Sequence, residues 1–215
     1  VFSFIFLNGK CRYCKSKIPK ETLITEILMG IVTVFVFLKF GLSFNFILIT
    51  AIFGTILLIS IYDLKHFIIP DSFLVSFFIL SFIYLSIFPF FNFSFIFPSL
   101  LSGLVLTLPF LLIFLVSKGT WFGFGDVKYI AVLGFFLGFA QGLSAVVLSF
   151  WIGAVFSLLA LALKKLAPHI NLPLFGNNLT IKSEVPFGPF LSLGIVISFF
   201  LNLDLFQIYE LFNIL

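Results

Sequence analysis

Trp121-Phe-Gly-Phe-Gly-Asp-Val-Lys128 sets one carboxylate, Asp126, between two glycines and a lysine, where a loop re-enters a very apolar segment. A second carboxylate, Asp63, ends another apolar segment in Ser60-Ile-Tyr-Asp-Leu-Lys-His-Phe-Ile-Ile-Pro-Asp71. An ionisable group at a membrane boundary is costly to keep and marks a functional site by default. Two of them suggest aspartic chemistry.

The surroundings explain why these acids stand out. Of 215 residues 62% are hydrophobic, 9% are charged and 36 are phenylalanine. A soluble domain carries about 25% charged residues, so this chain lacks the polar surface to face water on all sides. Lipid must be part of its solvent, and the class is a polytopic membrane protein. The net charge of +4 is first a matter of membrane topology, and nucleic acid is not expected as a partner. The first ten residues lack a basic stretch ahead of an apolar run, so no cleavable signal peptide is expected. Opening on Val1, the chain is expected to lack its natural N-terminus.

Working outward, apolar runs at about 22–39, 44–62, 72–89, 96–117, 127–141, 144–163 and 187–203 predict an all-α transmembrane bundle of about seven spans. Most have the roughly 17–25 residues needed to cross the hydrocarbon core. The fifth is short and flanked by Gly125, Gly134, Gly138 and Gly142, which predicts a tilted or partial span. Alternating the loops puts eleven of the twelve Lys and Arg residues on one side, with Lys39 the exception. By the positive-inside rule that side is cytoplasmic. It holds Asp63, Asp71 and Asp126. The reading divides the chain into a cytoplasmic Cys-x-x-Cys segment (1–20), a transmembrane domain (21–203) that holds both aspartates and a C-terminal interfacial segment (204–215).

Gly123 and Gly125 permit backbone angles and close approaches that other residues resist, so this turn can bring Asp126 against a neighbouring helix or a substrate backbone. Two facing carboxylates hold a single proton between them near neutrality. The ionised one can take a proton from water while the protonated one polarises a peptide carbonyl. A lone aspartate at a helix end is more often a cap, and Asp71, after Pro70, reads that way. Intramembrane acids also serve proton- or cation-coupled transporters, although the Pro70 and Pro186 regions do not fall at matching positions of two halves.

Together, Trp121–Lys128, Asp63–Asp71 and Lys182-Ser-Glu-Val-Pro-Phe-Gly-Pro-Phe-Leu191 resemble the type IV prepilin peptidases, Gly-x-Gly-Asp membrane aspartic proteases. Asn8-Gly-Lys-Cys-Arg-Tyr-Cys14 is similar to that family's cytoplasmic cysteine segment, and Tyr62-Asp63 resembles the presenilin branch, which cuts inside membrane helices. The resemblance implies that Asp63 and Asp126 are the catalytic pair. The implied reaction removes a basic leader from prepilins or pseudopilins, after a glycine, at the cytoplasmic face of a bacterial-type inner membrane. Proteolysis by two carboxylates and water needs no cofactor. Lys128 and Glu184 are candidates for positioning substrate or for anchoring at the interface. Val185-Pro186-Phe187-Gly188-Pro189 is a candidate membrane-entry segment beside the site, with a simple helix start as the alternative. Many members carry two Cys-x-x-Cys pairs. Here Cys11 and Cys14 supply half the four ligands of a structural zinc site, and neither His66 nor His169 has ligand spacing to them. The resemblance also implies methylation of the new N-terminus from S-adenosylmethionine, linked to that cysteine region.

Overall fold

The computed structural model describes residues 7, 9–11, 13–87, 93–166 and 185–205. Among these described residues six helices follow in order: α1 Lys20–Phe40, α2 Phe44–His66, α3 Asp71–Ile87, α4 Phe93–Ser117, α5 Phe124–Leu166 and α6 Gly188–Leu201. Among the described residues the only extended pairing is an isolated bridge between Lys10 and Lys17, so the fold is all-helical as the sequence predicts. The contacts divide the chain into two compact units, Val1–Leu57 and Leu58–Leu215.

In the first unit, α1 ends at Gly41, whose φ of 62° and ψ of −162° belong to a region essentially reserved for glycine. The Gly41 amide closes the helix on the Phe37 carbonyl at 2.8 Å. Ser43 then caps α2, its hydroxyl accepting from the Phe46 amide at 3.3 Å, one of the donors a helix start leaves unpaired.

In the second unit α5 is central and packs against α3, α4 and α6. At 43 residues a straight helix would run about 65 Å, twice the hydrocarbon core. It does not run straight. Gly138 has φ 77° and ψ −179°, and a Cβ on Gly142 would stand 3.4 Å from the Gly134 Cα. Residues eight apart in a straight helix are about 12 Å apart, so α5 folds back on itself at Gly138. The expected connector at 142–143 is therefore corrected: the reversal comes four residues earlier, at the glycine whose backbone angles make it.

The same glycine run lets α4 approach. A Cβ on Gly134 would stand 2.9 Å from the Gly103 Cα, and one on Gly103 would stand 2.6 Å from the Ala131 carbonyl oxygen. In lipid, helices associate through such small-residue contacts rather than by exclusion of water. Aromatic pairs fill the remainder, among them Phe77–Phe136 at 5.7 Å and Phe136–Phe199 at 5.5 Å between ring centres.

Among the described residues four helical segments are long and apolar enough to cross a membrane: Thr22–Phe40, Phe44–His66, Ile96–Ser117 and Phe124–Lys164. Helices α3 and α6 are apolar but shorter, at 17 and 14 residues. Length and composition thus give four spans where the apolar runs predict about seven. The two counts differ because α5 carries two runs across Gly138 and two further runs fold as short helices. The expected interfacial segment 204–215 lies almost wholly outside the described residues.

Candidate active site

Asp63 and Asp126 come from different helices and border the same cavity. Helix α2 continues past the predicted end of its span to His66, so Asp63 lies in the last turn rather than in a loop. Lys65 and His66 share that turn, where cations offset the negative end of the helix dipole. Phe67, with φ 54°, then turns the chain left-handed, its amide on the Asp63 carbonyl at 2.8 Å. Pro70 starts α3, its carbonyl receiving the Phe73 and Leu74 amides.

Helix α5 begins at Phe124, placing Asp126 in its first turn. The Asp126 carboxylate reaches back to the Gly123 amide, the half of a capping box in which an acidic side chain serves the residue just before the helix. The bland reading of this aspartate as a cap is therefore correct as far as it goes. A cap does not explain its neighbours, however. Asp63 is close enough for its charge to act on Asp126, and both border a cavity of about 480 Å³ with Ile69, Gly123, Gly125 and Lys128. A Cβ on Gly125 would stand 3.1 Å from the Ile69 Cβ, so the glycine lets the Asp126 turn press against the Ile-Ile-Pro loop that follows Asp63.

Gly188 completes the setting of Asp63. Its amide donates to Asp63 Oδ2 at 2.9 Å. It opens α6, and the first amides of a helix have no partner within it. The buried Asp63 carboxylate, 4% exposed, supplies that partner, and a backbone amide in turn offsets the cost of burying the acid. The Pro186 ring beside it is buried.

Lys128 pairs with Asp71, and its ammonium lies 5.0 Å from the centre of the Phe124 ring. The Asp71 side chain is 72% exposed, so the residue read as a cap is also the lysine's ion partner. A larger cavity, about 600 Å³, also borders Asp126 and Gly123 and is lined by Phe122, Phe150, Phe187 and Phe190. Asp126 borders both cavities, and Asp63 borders the smaller one alone.

The structure thus brings together Asp63, Asp126, Gly123, Gly125, Lys128 and Gly188. Glu184 lies outside the described residues. Two residues that sequence reasoning passes over, Tyr129 and Ser192, are buried behind the site and share a hydrogen bond of 2.8 Å. Helical spacing puts Tyr129 on the face of Asp126, three positions on, and Ser192 on the face of Gly188, four on, but it does not show that the two faces meet.

In the first unit, Cys11 and Cys14 occupy one tight turn. The Cys11 amide donates to the Ser16 carbonyl at 2.9 Å and the Lys15 amide to the Cys11 carbonyl at 3.0 Å. Two thiols on one turn could serve as half of a zinc site. Among the described residues no third His, Cys, Asp or Glu joins them, so these residues do not complete one. The Ser16 hydroxyl, 3.0 Å from Cys14 Sγ, leads the hydrogen bonds that pull this thiol from its ordinary 9.0 down to about 7; the Ser16 amide and Cys11 add to it. Because the thiolate is the reactive form, alkylation of Cys14 by iodoacetamide, followed by peptide mass spectrometry, should rise with a midpoint near pH 7. Ser16→Ala should move that midpoint upward, and an unmoved midpoint would show that the hydroxyl does not stabilise the thiolate.

Comparison with known proteins follows the same residues. The sequence pattern of the Type IV leader peptidase family matches residues 48–158, and that of the Bacterial Peptidase A24 N-terminal domain matches residues 1–40. A prepilin leader peptidase/N-methyltransferase of Stutzerimonas stutzeri is 26% identical over 195 residues, 90% of this chain and 63% of the relative. The protein of that name in Pseudomonas aeruginosa is 25% identical over 194 residues, 89% of this chain and 62% of the relative. Its counterpart in Bacillus subtilis is 26% identical over 183 residues, covering 80% and 68%. The chain thus spans less than two thirds of the length of the first two relatives. No solved structure matches it. The first pattern covers just over half of the chain, including both aspartates and the Gly-x-Gly-Asp turn: the chain belongs to the type IV leader peptidase family.

Proposed function

We propose that the chain is a membrane aspartic endopeptidase that removes the basic leader from type IV prepilins or pseudopilins at the cytoplasmic membrane face. The observation that carries this reading is the pairing of Asp63 and Asp126, from two helices, at one cavity of about 480 Å³. One carboxylate takes a proton from water as the water attacks the scissile carbonyl; the other, protonated, donates to the carbonyl oxygen. Each acid is held by a backbone amide, Asp63 by Gly188 and Asp126 by Gly123, so the pair is oriented before substrate arrives. Gly123 and Gly125 position substrate indirectly, by letting the Asp126 turn close on its own carboxylate and on Ile69, and Lys128 borders the same cavity beside Phe124. Pro186 and Gly188 form the entry side.

The membrane arrangement is part of the proposal. Counting α5 as two crossings and α3 and α6 as one each returns seven, with both aspartates on the cytoplasmic side of the inner membrane. That count keeps a peptidase domain over 21–203 between the cysteine segment 1–20 and an interfacial segment 204–215. The names of the relatives also carry N-methyltransferase, and we include methylation of the freed N-terminus from S-adenosylmethionine as a second reaction. Structural zinc on Cys11 and Cys14 would need ligands from beyond the described residues.

The test uses the protein in lipid with a prepilin carrying a basic leader, a Gly-Phe junction and an apolar helix. Mass spectrometry of the product should place the cut after the glycine, unchanged by a metal chelator. S-adenosylmethionine in the same mixture should add methyl groups to the new terminus. A folded wild type that leaves the prepilin intact would overturn the peptidase reading.

A further inference from the structure

Gly188 poses a mechanical question. It presents the amide that holds Asp63, yet glycine has the least restricted backbone of any residue and no side chain by which neighbours could grip it. Something else must fix its orientation.

The hydrogen bonds behind it supply the grip. Ser192 Oγ lies 2.9 Å from the Gly188 carbonyl oxygen. A carbonyl only accepts, so the single hydroxyl proton of Ser192 is committed there. Tyr129, whose oxygen lies 2.8 Å from Ser192 Oγ, must then be the donor in that contact. The direction is fixed throughout: Tyr129 donates to Ser192, Ser192 donates to the Gly188 carbonyl, and the Gly188 amide donates to Asp63. Tyr129 is wholly buried and Ser192 is 5% exposed, so water does not compete for these bonds. Tyr129 belongs to the helix that carries Asp126, one turn further on. The relay therefore ties the mounting of one aspartate to the helix of the other.

Each piece has an ordinary explanation. Serines bonded to the carbonyl four residues back recur in this chain, as at Ser76, Ser81 and Ser149, and a buried tyrosine hydroxyl needs some partner. Neither habit places the end of the chain on a site carboxylate. The chain also uses phenylalanine 36 times and tyrosine five, so an apolar ring alone could have filled this position.

We propose that Tyr129 and Ser192 are positioning residues, holding Gly188 so that its amide fixes the Asp63 carboxylate for attack. The inference rests on the reading of Asp63 as a catalytic group, and it adds the two residues that act through Gly188.

The experiment compares Tyr129→Phe, Ser192→Ala, the double variant and Ser192→Thr, which keeps the hydroxyl. Tyr129→Phe and Ser192→Ala should each lower kcat about tenfold with KM unchanged, since one oriented hydrogen bond is lost. The double variant should be no worse than the weaker single one, because both break a single chain of bonds. Ser192→Thr should restore kcat. In parallel, hydrogen–deuterium exchange in lipid nanodiscs reads the Gly188 amide without any substrate. Its exchange should quicken about tenfold in Tyr129→Phe and Ser192→Ala and stay slow in Ser192→Thr. Unchanged kcat in both single variants, or unchanged Gly188 exchange, would overturn the proposal. A wild type that cuts no prepilin would end the peptidase reading, while the exchange measurement would still decide whether the relay holds Gly188.

Discussion

Asp63→Asn and Asp126→Asn should each lower prepilin cleavage by about 10³-fold or more, while Asp71→Asn leaves it within about threefold of wild type. Asparagine keeps the shape of aspartate but neither takes nor gives the proton that the reaction needs. It also keeps an oxygen that can accept the Gly188 amide at position 63 and the Gly123 amide at position 126, so both proteins should fold. Asp71 differs in kind. It is an exposed partner of Lys128, and an exposed ion pair is worth only about 0–1 kcal/mol. Initial rates of leader removal by the three variants, with thermal unfolding of each in the same lipid, make the comparison. Equal loss at all three positions would point to a folding defect or to a different site. Full activity of Asp63→Asn or Asp126→Asn would remove that residue from the chemistry.

The aspartates were legible because acids are scarce here, eight in 215 residues. Position narrowed the choice, and the Gly-x-Gly-Asp turn at Asp126 and the Tyr-Asp pair at Asp63 completed it. The positions of the helices were legible for a related reason, since each apolar run has no alternative to helix in lipid. What the runs did not reveal was where α5 reverses. Gly134, Gly138 and Gly142 look alike in sequence, yet two of them serve packing and only Gly138 takes a positive φ. Nor did the runs show that those before Pro89 and after Pro186 fold as helices of 17 and 14 residues. Tyr129 and Ser192 were illegible because hydroxyls are common in apolar helices and usually serve their own backbone. Their role depends on a meeting of α5 and α6 across 63 positions, which no local pattern encodes. Asp71 shows the same limit: its place at the start of α3 reads as a cap, while its pairing with Lys128 across 57 positions needs the fold.

Gly188→Ala should cut leader removal by about 10²-fold or more with α6 intact, because the damage falls on Asp63 alone. A Cβ at this position would stand 2.7 Å from Asp63 Oδ2, 3.2 Å from its Cγ and 3.3 Å from its Cβ. Contact with the carboxylate and the root of its side chain leaves the acid no small rotation that relieves the clash. Either Asp63 leaves its place or the start of α6 moves off it, and both outcomes break the amide contact at 2.9 Å. Alanine is otherwise the better helix former, by about 1 kcal/mol in a helix interior, so loss of helicity is not the expected cause. Gly123→Ala is the instructive comparison. Its Cβ would meet Asp126 Oδ2 at 3.0 Å, with the carboxylate carbon farther off at 3.9 Å. Only the far end of a flexible side chain must yield there, so the loss should be smaller, about tenfold. The order of the two variants is the diagnostic, read from kcat with circular dichroism confirming that each protein keeps its helices. If Gly188→Ala retained wild-type kcat, the Gly188 amide could not be what holds Asp63 during turnover. If Gly123→Ala were the more damaging, the tighter constraint in the working enzyme would lie on Asp126 rather than on Asp63.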